Sequence, residues 1–132
     1  MAIVKTVVAN SLHRIVFKFV GQGTTTVTLA EMVHATSGFP QSIVGTPRAS
    51  IVAASASMFD NGNPVTITRN GVDVLVLHGQ YIVPEELNST MKFSENSDQD
   101  IVVTHGGNGT SFLTFRKDEG FTLGPNVAGD TR

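Results

Sequence analysis

Asn70-Gly71 stands between two β-rich runs, VTITR at 65–69 and VDVLVL at 72–77, and no other pair of residues constrains the fold as tightly. A two-residue type I′ loop needs positive φ at both central positions, which Asn and Gly adopt most readily. The loop predicts the pairing: Arg69 opposite Val72, Thr68 opposite Asp73, Ile67 opposite Val74, Thr66 opposite Leu75 and Val65 opposite Val76. Opposed residues share a face of the sheet. Val65, Ile67, Val74 and Val76 then form a core face, while the other face begins polar at Thr66, Thr68 and Asp73 and turns apolar at Leu75 and Leu77. That second apolar patch calls for cover, from another layer of the same domain or from a partner.

The rest of the chain repeats the same rhythm. AIVKTVVA at 2–9 is β-branched, and LHRIVFKFV at 12–20 sets His13, Ile15, Phe17 and Phe19 on one side against Leu12, Arg14, Val16, Lys18 and Val20 on the other. Gly21-Gln22-Gly23 reads as a turn before TTTVTLA, and Thr28 followed three residues later by Glu31 has capping-box spacing, enough for one helical turn. Residues 34–48, with Gly38, Pro40, Gly45 and Pro47, read as a long surface loop, and ASIVAASASM resumes a strand of small side chains. QYIVPEEL is edge strand or connector, since Pro84 cannot donate to a ladder. TMKF, IVVTH and SFLTFRK follow as strands separated by SENSDQD and by a Gly106-Gly107-Asn108-Gly109 turn. About eight strands at intervals of about 8 to 12 residues predict an all-β, antiparallel β-sandwich or jelly-roll-like barrel. With 132 residues there is one domain, the sandwich spanning 1–117, with extended N-terminal and C-terminal segments and residues 118–132 as a Gly/Pro-rich tail.

Composition argues against several functions. The net charge of −2 offers no positive field to displace counterions, so nucleic-acid binding is not expected. The chain has no cysteine, which excludes disulfides, thiolate zinc sites and cysteine nucleophiles. MAIVKTVVANSLHR lacks the basic start and apolar core of a signal peptide, and no apolar run nears the ~18 residues of a membrane span. Cytoplasmic synthesis and a soluble chain without membrane contact are the expectation. Charged residues make up 15% of the chain, against roughly 25% in soluble domains, which suggests that part of the surface is meant to be covered.

Candidate chemistry is thin. His13, His34, His78 and His105 show none of the paired spacings that aim two imidazoles at one metal. Asp98-Gln99-Asp100 lacks the glycine and distal glutamate of a calcium loop, and Asp60-Asn61-Gly62 reads as a turn. Neither glycine cluster precedes a helix that could hold phosphate, and Ser50, Ser55 and Ser57 lack a nucleophile elbow. No catalytic residue, cofactor or metal is expected, and the chain is not expected to be an enzyme. Apolar residues on both faces of 12–20, 72–79 and 111–117 exceed what one core requires. Leu75 and Leu77, with Phe121, Leu123, Pro125 and Val127 of the tail, are therefore the candidate partner-binding residues.

VKTVVANSLHRIVFKFVGQGTTTVTLAEM, VTITRNGVDVLVLHG and IVVTHGGNGTSFLTFRK together resemble small virion structural proteins of tailed bacteriophages, particularly those of marine and cyanobacterial phages. The likeness covers roughly 4–33 and 65–117 and lies in the β-rich rhythm and in the ANS, TTTVTLA and RNG positions. It implies a capsid decoration or cement protein, made in the host cytoplasm and carried on the virion, with major capsid protein or other virion subunits as partners and homo-oligomers expected. A head-tail connector or tail-associated structural protein is the nearest alternative. A carbohydrate-binding or host-adhesion β-sandwich module is the alternative of a different class.

Overall fold

The computed structural model describes residues 3–33, 41–59, 63–83 and 97–121. They form an all-β chain with one antiparallel sheet of seven strands. These are β1 (Val4–Asn10), β2 (Arg14–Val27), β3 (Ile43–Met58), β4 (Val65–Arg69), β5 (Val72–Leu77), β6 (Gln80–Val83) and β7 (Ile101–Phe121). The order is β1-β2-β7-β3-β6, and the β4-β5 hairpin pairs with β7 beside that path.

Three strands are much longer than their sequence suggests, because glycines expected to reverse the chain do not. Gly21-Gln22-Gly23 lies inside β2, and Gly106-Gly107-Asn108-Gly109 lies inside β7. Gly21 pairs with Gly109 and Gly23 with His105, so Gln22 alone on β2 faces the three residues Gly106, Gly107 and Asn108 on β7. Gly21 and Gly23 take φ of 117° and 134°. Positive φ serves a bulge as well as a turn, and a bulge bends the strand without ending it. β3 likewise begins at Ile43, inside the segment expected to be loop, and β7 runs on through Asp118–Phe121 into the expected tail.

The bend organises the core. Along one edge β7 pairs β2 on both sides of the bulge, from Ile101 to Arg116; along the other it pairs β4 over 101–105 and β3 from Gly109 onward. Beside the bulge, Phe59 N–H donates to Asn108 O and Gly106 N–H to Pro64 O. Odd-numbered residues of β7 from Ile101 to Lys117 are buried and even-numbered ones are not, as a half-buried sheet requires. In one arm the inner rows read Phe19-Ser111-Ala56 and Phe17-Leu113-Ala54; in the other, Gly23-His105-Val65-Leu77 and Thr25-Val103-Ile67-Leu75. Large side chains from β2 fill the space over the alanines of β3, and Phe17 packs edge-on to Phe115 at 5.9 Å. Residues of both arms join in a single buried cluster, capped by Leu29 and Met32 of the 3-10 turn Leu29–Met32. That turn carries the expected box: Thr28 N–H donates to the Glu31 carboxylate at 2.6 Å.

The hairpin turn forms as its sequence predicts, with Asn70 at φ 55° and Gly71 at 75°. Its register differs beyond two pairs. Arg69 faces Val72 and Thr68 faces Asp73, but a bulge then shifts Ile67 to Leu75, Thr66 to Val76 and Val65 to Leu77. Leu77 thus enters the core and Val76 turns out to solvent, the reverse of the expected assignment. Sliding by one residue exchanges faces, and the larger Leu77 is the side chain that gains most from burial.

Two glycine substitutions separate steric from torsional constraint. A methyl on Gly109 would lie 2.8 Å from the Met58 Cα and the Ser57 carbonyl oxygen, whereas one on Gly71 would meet nothing within 4 Å. Gly109→Ala is expected to lose ~1–3 kcal/mol through overpacking, and Gly71→Ala about 1 kcal/mol through its positive φ. Urea unfolding midpoints measure both, and a Gly71→Ala loss larger than that of Gly109→Ala contradicts the assignment.

Candidate functional site

Three ionisable side chains are buried among the described residues, and each is consumed in holding the fold. Arg69 ends β4 with its guanidinium buried: Nε donates to Gln99 O at 2.9 Å, Nη1 to Ala49 O at 2.7 Å and Nη2 to Ser97 O at 2.8 Å. Burial pushes its pKa down to about 10, opposed by Asp118, Asp98 and Asp100. The three carbonyls it binds gather strands from different parts of the sheet. Ala49 pairs with Lys117 across β3-β7 and also forms a bridge with Ser97, so the segment leading into β7 and the far end of β7 meet at one residue. Arg69 fastens that meeting point.

Lys117 is fully buried, and its ammonium donates to Asn10 Oδ1 at 2.8 Å, Ser11 O at 2.7 Å and Gln41 Oε1 at 2.7 Å. Gln41 passes the contact on, its Nε2 donating to Leu12 O at 2.9 Å. The cluster ties the β1-β2 connection to the end of β7, and the Phe121 ring lies 5.7 Å from the ammonium. Desolvation lowers the Lys117 pKa to about 8.

His105 is the third. Its Nδ1 bonds Gly21 O at 2.9 Å and its Nε2 bonds Ser111 Oγ at 2.7 Å. A Ser-His pair has the outline of a nucleophile and its base, but both residues are 1% exposed, so no substrate reaches the hydroxyl. Buried Ser50 Oγ donates to Asp118 Oδ2 at 2.5 Å and Arg116 Nε donates to Asp118 Oδ1 at 2.8 Å, which ties this corner of the sheet as well. Among the described residues no three His, Cys, Asp or Glu side chains converge as a metal site. No described helix is long and apolar enough to cross a membrane.

β1 pairs only with β2 among the described strands, and Val4, Val7 and Val8 on it are 61%, 46% and 54% exposed. Its one charge, Lys5, is turned inward: the ammonium bonds the Glu31 carboxylate and Thr26 O. Partial burial raises the Glu31 pKa, but the bonds from Lys5 and Thr28 outweigh it and hold the carboxyl below its ordinary value. Edge strands are usually guarded by an exposed lysine, and here that lysine is spent on the chain's own acid. Register carries a strip of low charge across the outer face of the sheet. Val4, Val20, Thr110, Ser57 and Gln80 make one row, and Thr6, Lys18, Phe112, Ser55 and Ile82 the next. Ile82 is 73% exposed, and Lys18 is the only charge in the two rows. Ser55, Ala56, Ser57, Gln80 and Ile82 line a hollow of about 600 Å³ there.

Of the residues expected to bind a partner, Leu77 and Phe121 lie in the core and Leu75 packs against it. The chain itself covers the patch that the hairpin sequence leaves open. Leu123, Pro125 and Val127 lie outside the described residues, as does His34. The exposed apolar positions among the described residues are instead Val4, Val7, Val8 and Val20, Ile43 and Val44 at the start of β3, Phe59 after it, Val72 and Val76 on β5, and Ile82 on β6. A signal for β1 existed, since its valines fall on both parities and one buried face cannot take them all. No protein-family model matches the chain, and no curated protein and no solved structure is significantly similar to it.

The Lys117 clamp has a pH signature. Its folded pKa lies below the ordinary 10.5, so the unfolded chain binds the proton more tightly, and stability rises as pH climbs from about 8 to 10.5. The rise is expected to be about 3 kcal/mol. Lys117→Met should abolish the rise and, by stranding three acceptors, cost about 2–4 kcal/mol at pH 7. Urea titrations of both proteins between pH 7 and 10.5 measure this, and parallel pH profiles contradict it.

Proposed function

We propose that this chain is a structural assembly protein that lays the β1 edge and the outer sheet face against neighbouring subunits, as a capsid decoration or cement protein does. The exposure of Val4, Val7 and Val8 on an edge strand whose lysine is already paired carries the reading. Exposed main-chain donors and acceptors on such an edge can continue a neighbour's sheet, and the apolar side chains beside them add burial. The virion setting, and the major capsid protein or another virion subunit as partner, rest on the resemblance of the sequence to tailed-phage structural proteins. In the finer fold reading the bent sheet closes over its core in the manner of a sandwich or jelly roll, the Ala49-Ser97 bridge supporting closure. A protein that binds only the assembled shell stabilises it by mass action, about 2.7 kcal/mol at a hundredfold excess over Kd.

The hollow beside β6 favours a second reading, a carbohydrate-binding or host-adhesion module, because Ser55, Ser57 and Gln80 set hydroxyl and amide groups around Ile82.

Val4→Lys combined with Val8→Lys places charges on exposed positions and should change stability by no more than about 0.5 kcal/mol. Co-sedimentation with empty phage shells is expected to fall at least tenfold for the double variant while its thermal unfolding stays put. Unchanged occupancy on the shells overturns the assembly reading at this edge, and saturable binding of free sugars with a Gln80→Ala loss supports the second one.

A further inference from the structure

His105 sits where both long strands bend. Its backbone pairs with Gly23 on β2 and with Val65 on β4, and Gly106 begins the bulge immediately after it. In an extended strand, residues six apart are separated by roughly 20 Å, yet the His105 ring reaches the Ser111 hydroxyl at 2.7 Å. The imidazole therefore straps one arm of β7 to the other across the bulge, and its second nitrogen straps β7 to β2 at Gly21.

The partners dictate the tautomer. The Gly21 carbonyl can only accept, so Nδ1 carries the proton and Nε2 presents a lone pair to the Ser111 hydroxyl. We infer that the bend is a pH-operated hinge: a second proton on His105 removes the lone pair that receives the Ser111 hydroxyl, and the crossing of β2 and β7 loosens in mild acid. Ser111 could answer an Nε2–H only by turning its own proton away, into surroundings where both residues are 1% exposed. Among the described residues nothing nearby compensates the charge. β2 turns Phe19, Gly21 and Gly23 inward here, β3 turns Ala56 and Met58, β4 turns Val65, and β7 itself turns Val103, Gly107 and Gly109. None of these titrates or carries charge. His78 follows Leu77 at the outer end of the same row and is exposed. Burial lowers the His105 pKa, only partly offset by the Gly21 bond, in keeping with a ring that stays neutral at pH 7.

The sign follows from that lowering. The folded state takes up its proton at a lower pH than the ordinary 6.5, so the stabilisation is complete above that value and declines as pH falls below it. Glycines on both strands give the backbone room to move at this point, so the predicted opening is local.

Nuclear magnetic resonance on the whole chain tests the inference. The ring is expected as the Nδ1–H tautomer, titrating below 6.5, with amide protection at Gly23 and Ser111 falling at least tenfold between pH 7 and 5. In His105→Gln the same amides should keep their protection over that range. Ser111→Ala, which removes the hydroxyl proton given to the neutral ring, should raise the His105 titration point and move the opening to higher pH. An Nε2–H tautomer, an acid loss of protection that persists in His105→Gln, or a titration point unmoved by Ser111→Ala each overturns the hinge. If His105→Gln fails to fold, the tautomer and the Ser111→Ala shift still decide it.

Discussion

One bend governs this molecule. A sheet with a single buried face must find something to bury it against, and among the described residues almost all of that cover is supplied by the sheet itself. The glycine bulges of β2 and β7 let two strands of 14 and 21 residues turn inward, so that the row containing Phe17 and Leu113 and the row containing Val103 and Ile67 contribute to one core. Straight strands of the same sequence would leave two separate apolar faces in water. The three buried polar clamps serve the bend. His105 straps the bulge, Arg69 fastens the bridge between Ala49 and Ser97, and Lys117 holds the far end of β7 to the β1-β2 connection.

How much of this the sequence discloses depends on whether the deciding interaction is local. The Asn70-Gly71 turn, the capping box at Thr28 and Glu31, and the buried parity of Ile15, Phe17 and Phe19 are settled within a few residues, and they form as expected. Whether a glycine reverses a strand or only bends it is settled elsewhere. Gly106 to Gly109 stay within β7 because β3 and β4 take up successive stretches of its edge, a fact no window of sequence contains. The register slip of β5 is of the same kind, since Leu77 is drawn inward by a core assembled from distant strands. Arg69 and Lys117 were illegible for a further reason. Their acceptors are carbonyls and side-chain amides up to 107 residues away, and neutral acceptors leave no charge pattern to read.

The candidate surface follows from the same geometry. A sheet that closes on its own core spends its inner face and leaves its edges and outer face to solvent or to neighbours. On this chain the two outer rows that run from β1 to β6 carry little charge: valines along β1, then Val20, Phe112 and Ile82 across the strands, with Lys18 as their one charged side chain, while Arg14 and Arg116 lie in a row further along. Low overall charge, visible in the composition, is thus concentrated where a neighbour could approach. Contact through such a surface draws on main-chain pairing and apolar burial, and it needs no catalytic group.

Amide hydrogen exchange along Val4–Asn10, read in the free chain and again on chain bound to empty shells, tests the central claim most directly. The outward amides of β1 are expected to exchange freely in solution and to gain strong protection on the shell, while those of β7 change little. Equal exchange of β1 in the two states would contradict the account.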